Sequence, residues 1–149
     1  MSSAPGEDAA PEQGSELGAQ GSEPGARPER DPVVLGLGEM NVSPTAALFE
    51  GDARAPGFGV DTSIFVTRTP PGGFVELHVH PYPETFILLA GNGRWTSGES
   101  AVELGPDGVI VVPADTPHGF RNIGDEPLLV VSIHERGTIE QRWLGREPA

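Results

Sequence analysis

The chain has 149 residues, a formal net charge of −13, four histidines, and neither cysteine nor lysine. Without cysteine there is no thiol nucleophile, no thiolate metal ligand and no iron–sulfur cluster, and without lysine there is no Schiff-base chemistry. The acidic balance carries no basic stripe to offset it, so a nucleic-acid partner is not expected.

Residues 1–31 are mainly Gly, Ala, Pro, Ser, Gln and Glu, with no aromatic and no β-branched side chain. Such a segment cannot bury enough apolar surface to offset the entropy of ordering it, so a disordered acidic tail is expected. It has neither a basic start nor an apolar stretch, and no apolar run in the chain approaches the roughly 20 residues of a membrane-spanning helix. The expectation is a cytoplasmic protein with no membrane partner, and one domain over 32–149 with its core at 45–143.

From Val33 onward the pattern becomes short β-rich runs punctuated by Gly and Pro. Strands are expected at 45–50, 62–68, 74–80, 84–90, 93–96, 101–104, 109–112, 119–122, 128–135 and 139–143, with 33–37 as a further candidate. Turns punctuate them: Pro70-Pro71-Gly72-Gly73, Gly91-Asn92-Gly93, Ser97-Gly98-Glu99, Gly105-Pro106-Asp107-Gly108 and Gly124-Asp125-Glu126-Pro127. The weakly patterned stretch 51–59 reads as a loop. No segment holds a helical period over three turns. Many short strands at near-regular spacing indicate an all-β sandwich or barrel.

On strand 74–80, alternation puts Phe74, Glu76, His78 and His80 on one face and Val75, Leu77 and Val79 on the other. The next strand, from Glu84, is apolar on both faces, and a strand of that kind is covered on both sides. The corner Pro81-Tyr82-Pro83 returns Glu84 beside His78 and His80, and His118 follows the apolar run Val109–Val112 and a Pro-rich turn. Imidazoles with a carboxylate suit Zn, Fe, Ni, Cu or Mn.

With these residues in place, the chain resembles the cupins. The family's first motif is matched at Gly72, His78, His80, Glu84 and Gly91, at every interval. The second is matched at Gly108, Pro113, Asp115, His118 and Asn122, with one residue fewer between Gly108 and Pro113 and with Asp115 in place of the turn glycine. Asp tolerates left-handed turn geometry, so neither departure threatens the site. The resemblance implies a jelly-roll barrel (a double-stranded β-helix) and one divalent transition metal per chain, held by His78, His80, Glu84 and His118. Two coordination positions of an octahedral ion would stay open to a small molecule. It also implies a homodimer, with 33–50 reaching across as an exchanged or augmenting strand.

Other residues carry open alternatives. Glu76 is a base or outer acceptor if its face points inward, and a water-facing residue otherwise. His134 is a proton shuttle if the Leu128 face of its strand lines the barrel, and a surface histidine if the other face does. Tyr82 either points its hydroxyl at substrate or packs outside the corner. Phe86 and Phe120 share parity with metal ligands and are the expected apolar pocket walls. Asn122 reads as a hydrogen-bond anchor, and Arg68, Arg94 and Arg121 either clamp a substrate carboxylate or lie exposed.

Three functions follow. The first is a metal-dependent dioxygenase acting on a small organic molecule, in which Glu84 doubles as base, as in the flavonol-cleaving cupins it resembles. The second is a non-redox isomerase or cyclase in which Glu76 or His134 moves protons. The third is a non-catalytic small-molecule binder.

Overall fold

The computed structural model describes residues 32–52 and 59–149. The expected tail at 1–31 and residues 53–58 of the expected loop lie outside the described residues.

Eleven antiparallel strands form two sheets among the described residues. They are β1 (Asn41–Ser43), β2 (Ala46–Glu50), β3 (Ser63–Thr69), β4 (Phe74–Val79), β5 (Glu84–Ala90), β6 (Gly93–Ser97), β7 (Ser100–Leu104), β8 (Val109–Val112), β9 (His118–Asn122), β10 (Leu128–His134) and β11 (Arg142–Trp143). One sheet runs β1-β2-β3-β10-β5-β8 and the other β11-β4-β9-β6-β7. This is the expected jelly roll. No helix of the described residues is long and apolar enough to cross a membrane.

Strand β10 shows how sequence becomes layer. Leu128, Val130, Ser132 and His134 are buried, while Leu129, Val131 and Ile133 are half-buried on the outer side, the two-residue period of a pleated strand. The inward residues of β5, β6, β8, β9 and β10 pack into one core of Phe86, Leu88, Trp95, Val112, Phe120, Leu128 and Val130. Its aromatic rings meet edge-on or stacked: Phe86 and Trp95 are 5.9 Å apart at 62°, and Trp95 and Phe120 are 5.1 Å apart at 27°. Burying a side chain such as Leu88 stabilises the fold by about 1.5–3 kcal/mol.

Two expectations about the strands change. Residues 33–37 are not a strand: a 3₁₀ turn at Leu37–Met40 leads into the short β1 instead. Nor is β5 covered on both faces. The outer side stays open, with Leu89 of β5 48% exposed and Val109 and Val111 of the adjacent β8 58% and 60% exposed.

The motif positions act as turn devices. Asp115 has a φ of 58°, so it holds the left-handed geometry that a glycine otherwise takes, and its N–H donates to the His80 carbonyl at 2.9 Å. Gly91 has a φ of 86° and lies so close to the Pro127 carbonyl that a Cβ would stand 2.7 Å from it. Asn122, 1% exposed, donates through Nδ2 to the carbonyls of Thr69 at 3.0 Å and Glu126 at 2.8 Å, and its Oδ1 accepts from Gly124 N–H at 2.9 Å. It anchors the β9–β10 turn to the end of β3 and makes no approach to the metal-type cluster described below.

Candidate metal centre

The site is built from two cross-strand pairs. On one sheet His78 of β4 stands opposite His118 of β9, and on the other Glu84 of β5 stands opposite His134 of β10. His80 follows the end of β4. The ligand-type atoms of His78, His80, Glu84 and His118 all lie within 4.8 Å of one another, and all four residues are buried.

The imidazole orientations are fixed from behind. His78 Nδ1 lies 2.8 Å from the Glu76 carbonyl, His80 Nδ1 2.6 Å from the Tyr82 carbonyl, and His118 Nδ1 2.7 Å from the Thr116 carbonyl. A carbonyl can only accept, so each Nδ1 carries the hydrogen and donates it. In the neutral ring each Nε2 then presents a lone pair. These Nε2 atoms stand 3.8, 3.0 and 2.8 Å from Glu84 Oε2, for His78, His80 and His118 respectively. Four electron-pair donors thus face one point, and the neutral rings put no hydrogen between them. That is the donor set a divalent transition cation satisfies.

Glu84 has a second side. Its Oε1 lies 3.0 Å from His134 Nε2. The two atoms are in ion-pair reach but are not aligned as a hydrogen bond, and His134 Nδ1 has no hydrogen-bond partner. His134 is 1% exposed, so the Leu128 face of β10 points inward and the surface alternative is excluded. Burial alone pushes the Glu84 carboxyl up, but the four imidazoles of His118, His134, His78 and His80 around it outweigh burial and hold the group well below its ordinary value of 4.5.

Glu76 does not share the face of His78. Its side chain is exposed. Between the pairs Val75↔Phe120 and His78↔His118, β4 has two residues where β9 has only Gly119, which is a β-bulge. The bulge resets parity, so Val75 points inward with His78 while Phe74 and Glu76 turn to solvent. Gly119 makes room for it: a Cβ there would stand 2.6 Å from the Val75 carbonyl. Glu76 therefore contributes its backbone carbonyl behind His78, and its carboxylate takes no part in the pocket.

Tyr82 is also corrected. It is buried, with its ring stacked on His80 at 4.3 Å and 12°. Its hydroxyl donates to the Glu140 carbonyl and accepts from the Glu140 N–H, each at 3.1 Å, so it clamps the C-terminal segment and does not line the cavity. Burial pushes its phenol up from the ordinary value.

Beside the four donors lies a cavity of about 230 Å³. Phe65, Phe86, Phe120 and Trp143 supply its aromatic wall, with His78 and Glu84 at the metal-type cluster. Thr67, Ser132 and Gln141 are the polar groups in the lining. Among the described residues no arginine lines it: Arg68 is exposed, Arg94 is paired with Glu103, and Arg121 pairs with Glu147 at 2.6 Å and lies 4.8 Å over the Phe74 ring. Phe65, Thr67, Ser132 and Trp143 were not singled out as pocket residues by sequence. Inward parity with His134 points to Ser132, and pairing of β3 with β10 then points to Phe65 and Thr67. Trp143, whose ring is 5.0 Å from that of His78, sits on a two-residue strand that leaves no such signal.

Comparison with known proteins agrees with this geometry. The cupin domain family model matches residues 65–134. An uncharacterised protein of Methanocaldococcus jannaschii is 32% identical over 74 residues, covering 49% of this chain and 59% of that protein. Polyketide synthase CurC of Streptomyces cyaneus is 38% identical over 64 residues, covering 41% of this chain and 40% of the relative. Among solved structures, Bacillus subtilis oxalate decarboxylase, a protein with Mn(II) centres, aligns at a TM-score of 0.60 and 24% identity, over 66% of this chain and 27% of that one. The Lactobacillus farciminis oxalate decarboxylase aligns at 0.60 and 23%, over 70% and 32%. The chain thus spans less than two thirds of each relative, and the structural likeness is one of fold.

Proposed function

We propose that this chain is a cupin whose His/Glu cluster holds a metal, and that it is a metal-dependent enzyme acting on a small organic molecule, with a dioxygenase as the first reading. The observation that carries it is the set of three imidazoles, each backed by a carbonyl at Nδ1, aimed with Glu84 at one point on the wall of an apolar cavity.

His78, His80, Glu84 and His118 would hold one divalent ion from the group Fe, Mn, Ni, Cu and Zn. When bound, a redox-active ion would relay electrons from the organic substrate, which is the net reductant, to dioxygen, and any of these ions would supply Lewis acidity. The chain's own side chains do the rest. Phe86 and Phe120 keep water from the reacting end. Glu84 is placed to take a proton from a substrate hydroxyl, and His134 Nε2, 3.0 Å from Oε1, gives that proton a second place to go.

A second reading, a non-redox cyclase or isomerase, is favoured by the likeness to polyketide synthase CurC. It needs the same proton handling by Glu84 and His134 and no dioxygen. The homodimer stays a proposal, supported by the open apolar side chains of Leu89, Val109 and Val111.

The test has two arms. Protein purified without oxygen is expected to hold near one metal per chain, and His80→Ala almost none; equal metal content in both overturns the ligand assignment. Oxygen uptake with candidate substrates is then followed in Fe(II), Mn(II), Ni(II), Cu(II) and Zn(II) forms. Uptake with the redox-active ions and none with Zn(II) supports the dioxygenase. Turnover that persists under nitrogen and with Zn(II) replaces it with the second reading.

A further inference from the structure

The metal-type cluster meets the cavity at His78 and Glu84. One inward step from Glu84 along β5 is Phe86. Ser132 of β10 stands opposite Phe86 on one side and opposite Phe65 of β3 on the other, and all three line the cavity. A hydroxyl thus sits between two phenylalanines, about 7 Å along the strands from the row of Glu84. Ser63, inward on β3, donates its hydroxyl to the Arg136 carbonyl at 2.6 Å. Ser132 Oγ makes no hydrogen bond to a described residue. Nor is it sealed: among the described residues, the unpartnered side-chain atoms closed to contact are Thr67 Oγ1, Trp95 Nε1 and both His134 nitrogens. The Ser132 hydroxyl is therefore open to the cavity, where a ligand group can reach it.

The wall around that hydroxyl favours a flat ring. Phe65, Phe86, Phe120 and Trp143 all line the cavity, and the Phe86 and Phe120 rings stand 5.8 Å apart at 76°. A flat ligand stacked on one meets the other edge-on, the two arrangements that aromatic pairs prefer. The cavity, at about 230 Å³, is smaller than the pockets that take drug-sized ligands.

Resting on the metal-centre reading above, we propose that Ser132 sets the substrate class: an aromatic ring with one hydroxyl toward His78 and Glu84 and a second hydrogen-bonding group received by Ser132 Oγ. The two groups are not neighbours on the ring, because adjacent substituents do not span the step between the Glu84 and Ser132 rows.

Phenol, catechol, resorcinol, hydroquinone and the saturated cyclohexane-1,3-diol are the probes. Binding is measured by calorimetry to the Zn(II)-loaded protein under nitrogen, so no turnover intervenes, and zinc content is measured on every sample. Resorcinol or hydroquinone is expected to bind tighter than phenol, and the saturated diol more weakly than resorcinol. Ser132→Ala is expected to weaken the better of the two ring diols about fivefold, the worth of one hydrogen bond. Phenol, which has no second group, and catechol, whose adjacent hydroxyls both face the metal, are expected to change by less than about twofold. Equal weakening of phenol and the diols, a diol weakened by Gln141→Leu and not by Ser132→Ala, or saturated diol binding as tight as resorcinol overturns the proposal. So does the absence of saturable ring binding with zinc in place, which leaves the metal reading standing. A wild type that holds no zinc removes the metal reading and this proposal with it. Ring binding in the expected order with no oxygen uptake keeps the substrate class and removes the dioxygenase.

Discussion

The barrel interior has two ends made by the same strands from opposite materials. β5 runs from Glu84 to Phe86 and Leu88, β9 from His118 to Phe120, and β10 from Leu128 and Val130 to His134. All of these are inward and buried. Because β10 is antiparallel to β5, its last residue meets the first residue of β5, and the polar groups collect at one end. The apolar end is ordinary close packing: no member is aimed by a particular partner, and the shapes alone must fit. The polar end is the reverse, since each of the three clustered imidazoles is held by a named carbonyl. The fold is secured at one end and the chemistry is aimed at the other, so the two are expected to respond separately to substitution.

The largest expected effect is at the polar end. His118→Ala removes a donor that is completely buried and 2.8 Å from Glu84. Replacing groups that merely support a metal ligand costs about 10–100-fold in metal affinity, so losing a ligand itself is expected to exceed about 100-fold. Elemental analysis and metal titration of the folded variant check this, and wild-type affinity would break the division between the ends. Next is Leu88→Ala, at the centre of the apolar end. It is expected to lower stability to urea by about 3 kcal/mol, the loss of transfer energy plus a cavity, with metal content unchanged. Loss of metal in parallel with stability would mean that the two ends are one cooperative unit. The smallest effect is for Tyr82→Phe, which removes only the hydroxyl that bridges both backbone groups of Glu140. A cost of about 1 kcal/mol in thermal unfolding is expected, with metal affinity kept because the ring still stacks on His80. A large drop in ligand binding instead would return the hydroxyl to the pocket.

Several strands were readable in sequence to within a residue, because turn residues bracket each run and alternation fills it. Glu84–Ala90 and Val109–Val112 have the bounds the sequence suggests. The C-terminal strand, expected at 139–143, is only Arg142–Trp143, since Ile139 and Glu140 bond to side chains instead of to a neighbouring strand: Ile139 N–H donates to Glu50 Oε2 at 2.8 Å and Glu140 N–H to the Tyr82 hydroxyl.

What the sequence determined by itself was the set of side chains that meet: His78, His80, Glu84 and His118 sit at fixed intervals from turn residues, and those intervals set strand ends regardless of distant packing. What only the tertiary structure decided was which way the remaining side chains face. Glu76 turned outward because β4 bulges against Gly119, and a bulge exists only once its partner strand is known. Likewise His134 became part of the site through its register with Glu84, and Tyr82 left the pocket because Glu140 was there to bind it. Side-chain parity is a local property only while a strand stays regular, and pairing across strands is not local at all.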